Sequence, residues 1–184
     1  MPRMNSANVI KLIQRHAATS PYHPYTQGHL YLIYAMGLVF KDEASLFWGY
    51  KAMCSTLYRY GPDTQQHVRV VPDWVFACVR SSTLDRNMWD NLVRFRWIYI
   101  MFGQTFTTPE TLCAAWDFVL LDTHRLHCMC AALLQFSLEQ SAPHDEACEL
   151  QRASELISVH ISTKEAAAAV LAKANRMQQQ QIIK

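Results

Sequence analysis

The side chains best suited to chemistry are His124, His127, Cys128 and Cys130, two imidazoles and two thiols close together in the chain. Helical spacing places His124, His127 and Cys128 on one face and turns Cys130 elsewhere. A tetrahedral zinc site would need its coordination completed by a second Cys or His pair at finger-like spacing, and the sequence offers none. The cluster therefore reads as an amphipathic helix with buried thiols and exposed imidazoles, and no metal is expected. Asp42 with Glu43, and Asp117 with Asp122, supply paired carboxylates of the kind that share acid and base work. Acids at a helix start are also what the macrodipole selects. Neither a Gly-rich phosphate loop nor a Gly-x-Ser-x-Gly elbow occurs, and no cofactor is expected. One further polar side chain stands in a distinctive setting: Gln27, within Pro24-Tyr25-Thr26-Gln27-Gly28-His29-Leu30.

The elements that must position these residues read as helices. Val9, Ile10, Leu12, Ile13 and Ala17 recur at helical spacing over Ala7 to Ala18, with Asn5 or Ser6 as N-cap, until Pro21 and Pro24 intervene. From about Thr26 to Phe40 the chain is apolar almost all round, which predicts a central helix. A turn at Lys41 and Asp42 leads to a third helix, Glu43 to Tyr60, ended by Gly61-Pro62-Asp63, with a polar loop to Arg69. Pro72 to Val79 and Met88 to Phe102 follow as apolar segments, and Trp97 to Met101 is expected to be helix. Thr107-Thr108-Pro109-Glu110 forms a helix start, opening Glu110 to Leu121 with Leu112, Ala115, Trp116 and Val119 inward. His124 to Leu138 comes next, then Asp145 to Ile161 and Thr163 to about Gln180. Ser162 and Glu165 have the spacing of a capping box at the last start. The five tryptophans are expected in the core.

Composition narrows the class. Of the 184 residues, 17% are charged and 5 are glycine, against roughly 25% and 7% in ordinary soluble domains. Scarce turn residues favour long helices, and scarce charge hints at a covered face. With 17 basic against 15 acidic residues and a net charge of +2, no polybasic stretch exists to release counterions, so nucleic acid is not an expected partner. The longest apolar run, Leu30 to Phe40, falls short of the roughly 20 residues that span a bilayer. The N-terminus lacks a signal-peptide pattern. A cytoplasmic protein with six reduced cysteines, most of them in the core, is expected.

Four stretches in order resemble the TBC domain, the Rab GTPase-activating module, whose hallmark is Tyr-x-Gln-Gly followed by an apolar helix and an acidic-aromatic helix start. Tyr25, Gln27 and Gly28 match the hallmark, and Asp42-Glu43-Ala44-Ser45-Leu46-Phe47-Trp48 the start that follows. Arg94-Phe95-Arg96-Trp97-Ile98 resembles the family's aromatic helix, and Leu112 to Leu120, with Trp116 and Asp117, its Trp-Asp helix. The resemblance runs from about Val9 to Leu134. It implies an all-α fold, with a partial TBC-like domain over residues 1–140 and a two-helix extension over residues 141–184. It also assigns Gln27 the task of orienting an attacking water, with Gly28 letting the backbone turn.

GTP hydrolysis also needs positive charge at the transferred phosphate, and an arginine that supplies it is worth about 10³ to 10⁵ in rate. The family draws its arginine from an Ile-x-x-Asp-x-x-Arg motif ahead of the glutamine. Here only Arg3 and Arg15 precede Gln27, and neither has an Asp three residues before it. The expected function is therefore a protein-binding or scaffold subunit of degenerate catalysis. The alternatives are a Rab GTPase activator that borrows its arginine, and a structural component of a large cytoskeletal or ciliary assembly. Without the family's first helices, Leu30, Tyr34, Leu38 or their neighbours are expected to lie exposed unless another surface covers them.

Overall fold

A computed structural model describes residues 6–19, 29–57, 71–79, 85–140 and 149–182. The fold is all-α: no strand forms among the described residues. The helices are α1 (Ser6–Thr19), α2 (His29–Val39), α3 (Glu43–Leu57), a 3-10 turn (Asp73–Val79), α4 (Arg86–Val93), α5 (Pro109–Val119), α6 (Thr123–Gln140), α7 (Glu149–Ile157) and α8 (Lys164–Ile182).

Local chemistry sets several of these starts. Asp42 Oδ1 accepts from the Ser45 amide at 2.8 Å and caps α3. Thr108 and Thr111 exchange the two bonds of a capping box ahead of Pro109 at the head of α5. The cap of α8 lies one residue beyond its sequence-predicted place. Thr163 Oγ1 accepts from the Ala166 amide at 3.2 Å, which puts Glu165 at the second helical position and leaves Ser162 outside the helix, so the Ser162–Glu165 capping box does not form. α7 also stops sooner than expected. It ends at Ile157, and the chain then extends so that Ile161 donates to Thr105 O at 2.6 Å and accepts from Thr107 N at 3.1 Å.

Met88 to Phe102 is helical only in part. α4 passes into a π-turn over Arg94–Ile98, with the Tyr99 amide on Arg94 O at 2.9 Å and the Phe102 amide on Trp97 O at 2.8 Å. Met101 and Phe102 then take left-handed backbone, φ 46° and 60°, at about 1–3 kcal/mol each. Their surroundings hold them there. Both side chains are buried, and the Trp116 indole N–H donates to Met101 O at 2.8 Å. Gly103 is required next, because a Cβ there would lie 2.6 Å from Ala35 Cβ.

One apolar cluster joins these elements, running from Val9 and Leu12 of α1 to Val170 and Ala174 of α8. α8 packs chiefly along α6, so the Ala-rich last helix lies on its own chain. Leu112, Ala115, Trp116 and Val119 of α5 point inward as the spacing predicts, each large one worth roughly 1.5–3 kcal/mol of burial. In α1 the buried stripe continues through His16, while Ala17 is exposed, against expectation. Trp89, Trp97 and Trp116 are core residues and Trp74 is half-buried, but Trp48 is 63% exposed, so the tryptophans do not all lie inside.

Candidate protein-docking face

Tyr25, Gln27 and Gly28 lie outside the described residues. The next residue, His29, opens α2 and is buried at its base. Its Nδ1 shares a 2.8 Å hydrogen bond with the Tyr50 hydroxyl of α3, and the His16 ring of α1 stands edge-on to Tyr50 at 4.8 Å. Desolvation, then repulsion from His16, lowers His29 to about 4, so it is neutral at neutral pH. His16, His29 and Tyr50 thus form a polar joint where α1, α2 and α3 meet. Arg15, one residue before this joint, points outward and pairs with Glu43 at 2.7 Å.

Above the joint α2 presents a face with no formal charge. Leu30, Tyr31, Tyr34 and Leu38 fall within about 100° of the helix circumference and are 39%, 53%, 47% and 37% exposed. The opposite side, Leu32, Ile33, Ala35 and Met36, is buried. The sequence singles out Leu30, Tyr34 and Leu38; Tyr31 it does not, since position 31 is known to share the face only once the helix is placed. On α3, Trp48 stands outward between Phe47, edge-on at 5.3 Å, and the Lys51 ammonium at 5.4 Å.

The other motif residues divide by role. Trp97 is fully buried and its indole donates to Ile157 O at 3.1 Å, tying the π-turn to α7. Trp116 ties α5 to the left-handed segment, as described above. Asp117 is exposed. Asp42 serves as the α3 cap, and the Ser45 amide and hydroxyl hold its carboxyl below the usual range. Trp97, Trp116 and Asp42 are therefore structural, and the motif residues do not converge on one catalytic constellation among the described positions.

Among the described residues no group of three or more ligating side chains comes together, at the His–Cys cluster or elsewhere. His124 Nε2 lies 3.6 Å from Cys128 Sγ, and Cys130 is fully buried. His127 is buried as well, contrary to the exposed imidazole expected. Desolvation, then His124, lowers it to about 4 against the opposing pull of Asp90. Burial pushes the thiols up, Cys54 to about 12 and Cys128 to about 11, with Cys130, Cys78 and Cys113 also raised. These five are free thiols, and in their protonated form they are poor nucleophiles and poor ligands.

No helix among the described residues is long and apolar enough to cross a membrane. Comparisons with protein-family models, curated proteins and solved structures gave no match to this chain.

Proposed function

We propose that this chain is a TBC-like protein-binding or scaffold subunit with little GTPase-activating power of its own. The observation that carries the reading is the outward face of α2, where Leu30, Tyr31, Tyr34 and Leu38 stand in water with no charge along the helix. Depletion of charge with enrichment of tyrosine is the composition of the centre of a protein interface. An apolar patch of this kind on a soluble chain marks a site of contact.

Two further features support the same reading. Arg15, ahead of Gln27 in the chain, pairs with Glu43 on the surface. The free thiols suit a reducing, cytoplasmic setting. The second reading, an activator of a Rab-type small GTPase, is favoured by Gln27 standing two residues ahead of the anchored His29, with the arginine coming from another chain. Membership of a large cytoskeletal or ciliary assembly would use the same face in a permanent contact.

Purification of the tagged chain from its native source, followed by identification of stoichiometric partners, tests this. A fixed partner retained by the natural chain and lost with Tyr34→Lys supports the binding reading. A Rab bound in one nucleotide state supports the second. The absence of any stoichiometric partner overturns both.

A further inference from the structure

We propose that α1 is an acid-released latch: a proton taken up by His16 frees this helix from α3 while α2 and α3 stay packed together. The inference goes beyond the docking reading and rests on how α1 is held. Among its described side chains Val9, Leu12 and His16 are the buried ones, on one stripe, with Ile13 half-buried beside them. α1 packs chiefly on α3. Its ion pair to that helix, Arg15 with Glu43, is more than half exposed on both sides, and such pairs hold little. Of the three buried anchors, His16 is the one whose charge can change near neutral pH.

The site is a poor one for a charge. His16 is buried, stands edge-on to the Tyr50 ring, and lies close enough to His29 for the two imidazoles to repel when charged. Among the described residues, α2 contributes His29 to this joint. α3 contributes the Tyr50 hydroxyl, shared with His29 Nδ1, and the Cys54 thiol, which bonds Tyr50 and is kept protonated by burial. Arg15 and Glu43 pair with each other outside it. A buried imidazolium beside a second histidine is costlier than one in water, so acid favours a local opening in which α1 has lifted and His16 is solvated. His29 keeps its bond to Tyr50 in that state. The open form takes the proton first, so the latch holds fully above about pH 6.5 and yields as the pH falls below it. For one histidine set free in water, the opening constant rises by up to about thirtyfold between pH 7.5 and pH 5.

Hydrogen exchange of the full chain, read by mass spectrometry at pH 7.5, 6 and 5 and corrected for intrinsic rates, tests this with His16→Gln and His16→Phe. In the natural chain the α1 amides should lose at least about tenfold in protection from pH 7.5 to pH 5. At pH 5 they should exchange at least about tenfold faster than those of α5, through an opening of their own. In both variants α1 should stay protected at pH 5 and change less than about threefold over the same range. Equal protection of α1 and α5 in the natural chain would show that α1 opens only with the whole fold and would overturn the proposal. So would an α1 indifferent to pH, or a response that survives both substitutions. Loss of α1 protection in both variants already at pH 7.5 would make His16 a packing residue and overturn it as well.

Discussion

Mild acid should loosen this fold through two histidines that burial keeps neutral. His29 at the head of α2 and His127 inside α6 are each lowered from 6.5 to about 4. In both, desolvation is the larger cause and a neighbouring histidine, His16 or His124, the next. A folded value below the unfolded one means that the unfolded chain takes up the proton first. The stability is therefore complete above about pH 6.5 and is lost as the pH falls from 6.5 toward 4. At about 1.4 kcal/mol per pH unit, crossing the whole window costs about 3 kcal/mol per histidine, and about 2 kcal/mol of that has gone by about pH 5. Against a total of about 5–15 kcal/mol, the pair is a large fraction.

His127→Leu isolates one of them. His127 Nε2 is buried with no hydrogen-bond partner among the described residues, so an apolar replacement strands no donor. Asp90 keeps the Val71 amide and the Arg86 and Arg94 guanidinium groups. His29 is the poorer choice, because its loss would remove a hydrogen bond from the Tyr50 hydroxyl. Urea midpoints from about pH 7.5 to pH 5 should show the natural chain losing about 2 kcal/mol more than His127→Leu, with the variant no less stable at neutral pH. Equal acid losses in the two chains would refute the reasoning.

Two other substitutions probe the local structure. Thr163→Ala should cost about 1 kcal/mol by urea denaturation, and Ser162→Ala only a few tenths, because the α8 cap hydroxyl is that of Thr163; the reverse order would restore the Ser162 cap. Trp116→Phe keeps most of the apolar bulk but strips the donor from Met101 O, so about 1–3 kcal/mol should be lost, and an unchanged midpoint would show that the left-handed turn holds without it.

The helical class and much of the inward register can be read from the residues themselves. Thr108-Pro109 carries its own cap, and the spacing of Leu112, Ala115, Trp116 and Val119 admits one buried face. The stretch from Trp97 to Phe102 hides its turn because it contains neither Gly nor Pro. Its left-handed residues are imposed by the Trp116 indole and the close approach of Gly103 to α2, both tertiary contacts. His16 takes a core position because Tyr50 of α3 offers its ring, which no pattern within α1 reveals. Ser162 and Thr163 are equally good caps by composition. The choice falls to the pairing of Ile161 with Thr105 and Thr107, which fixes where the extended chain ends. At the candidate site the apolar run of α2 is plain in the sequence, but which side faces water depends on what packs beneath it.

Single-turnover GTP hydrolysis by a panel of Rab GTPases, with the full chain in excess, most directly separates a binding subunit from an activator. With Arg15 paired to Glu43, hydrolysis should stay within about tenfold of the intrinsic rate for every Rab, since an arginine finger is worth about 10³ to 10⁵. A thousand-fold acceleration on any Rab, abolished by Gln27→Ala, would contradict the binding-subunit reading and make the chain an enzyme.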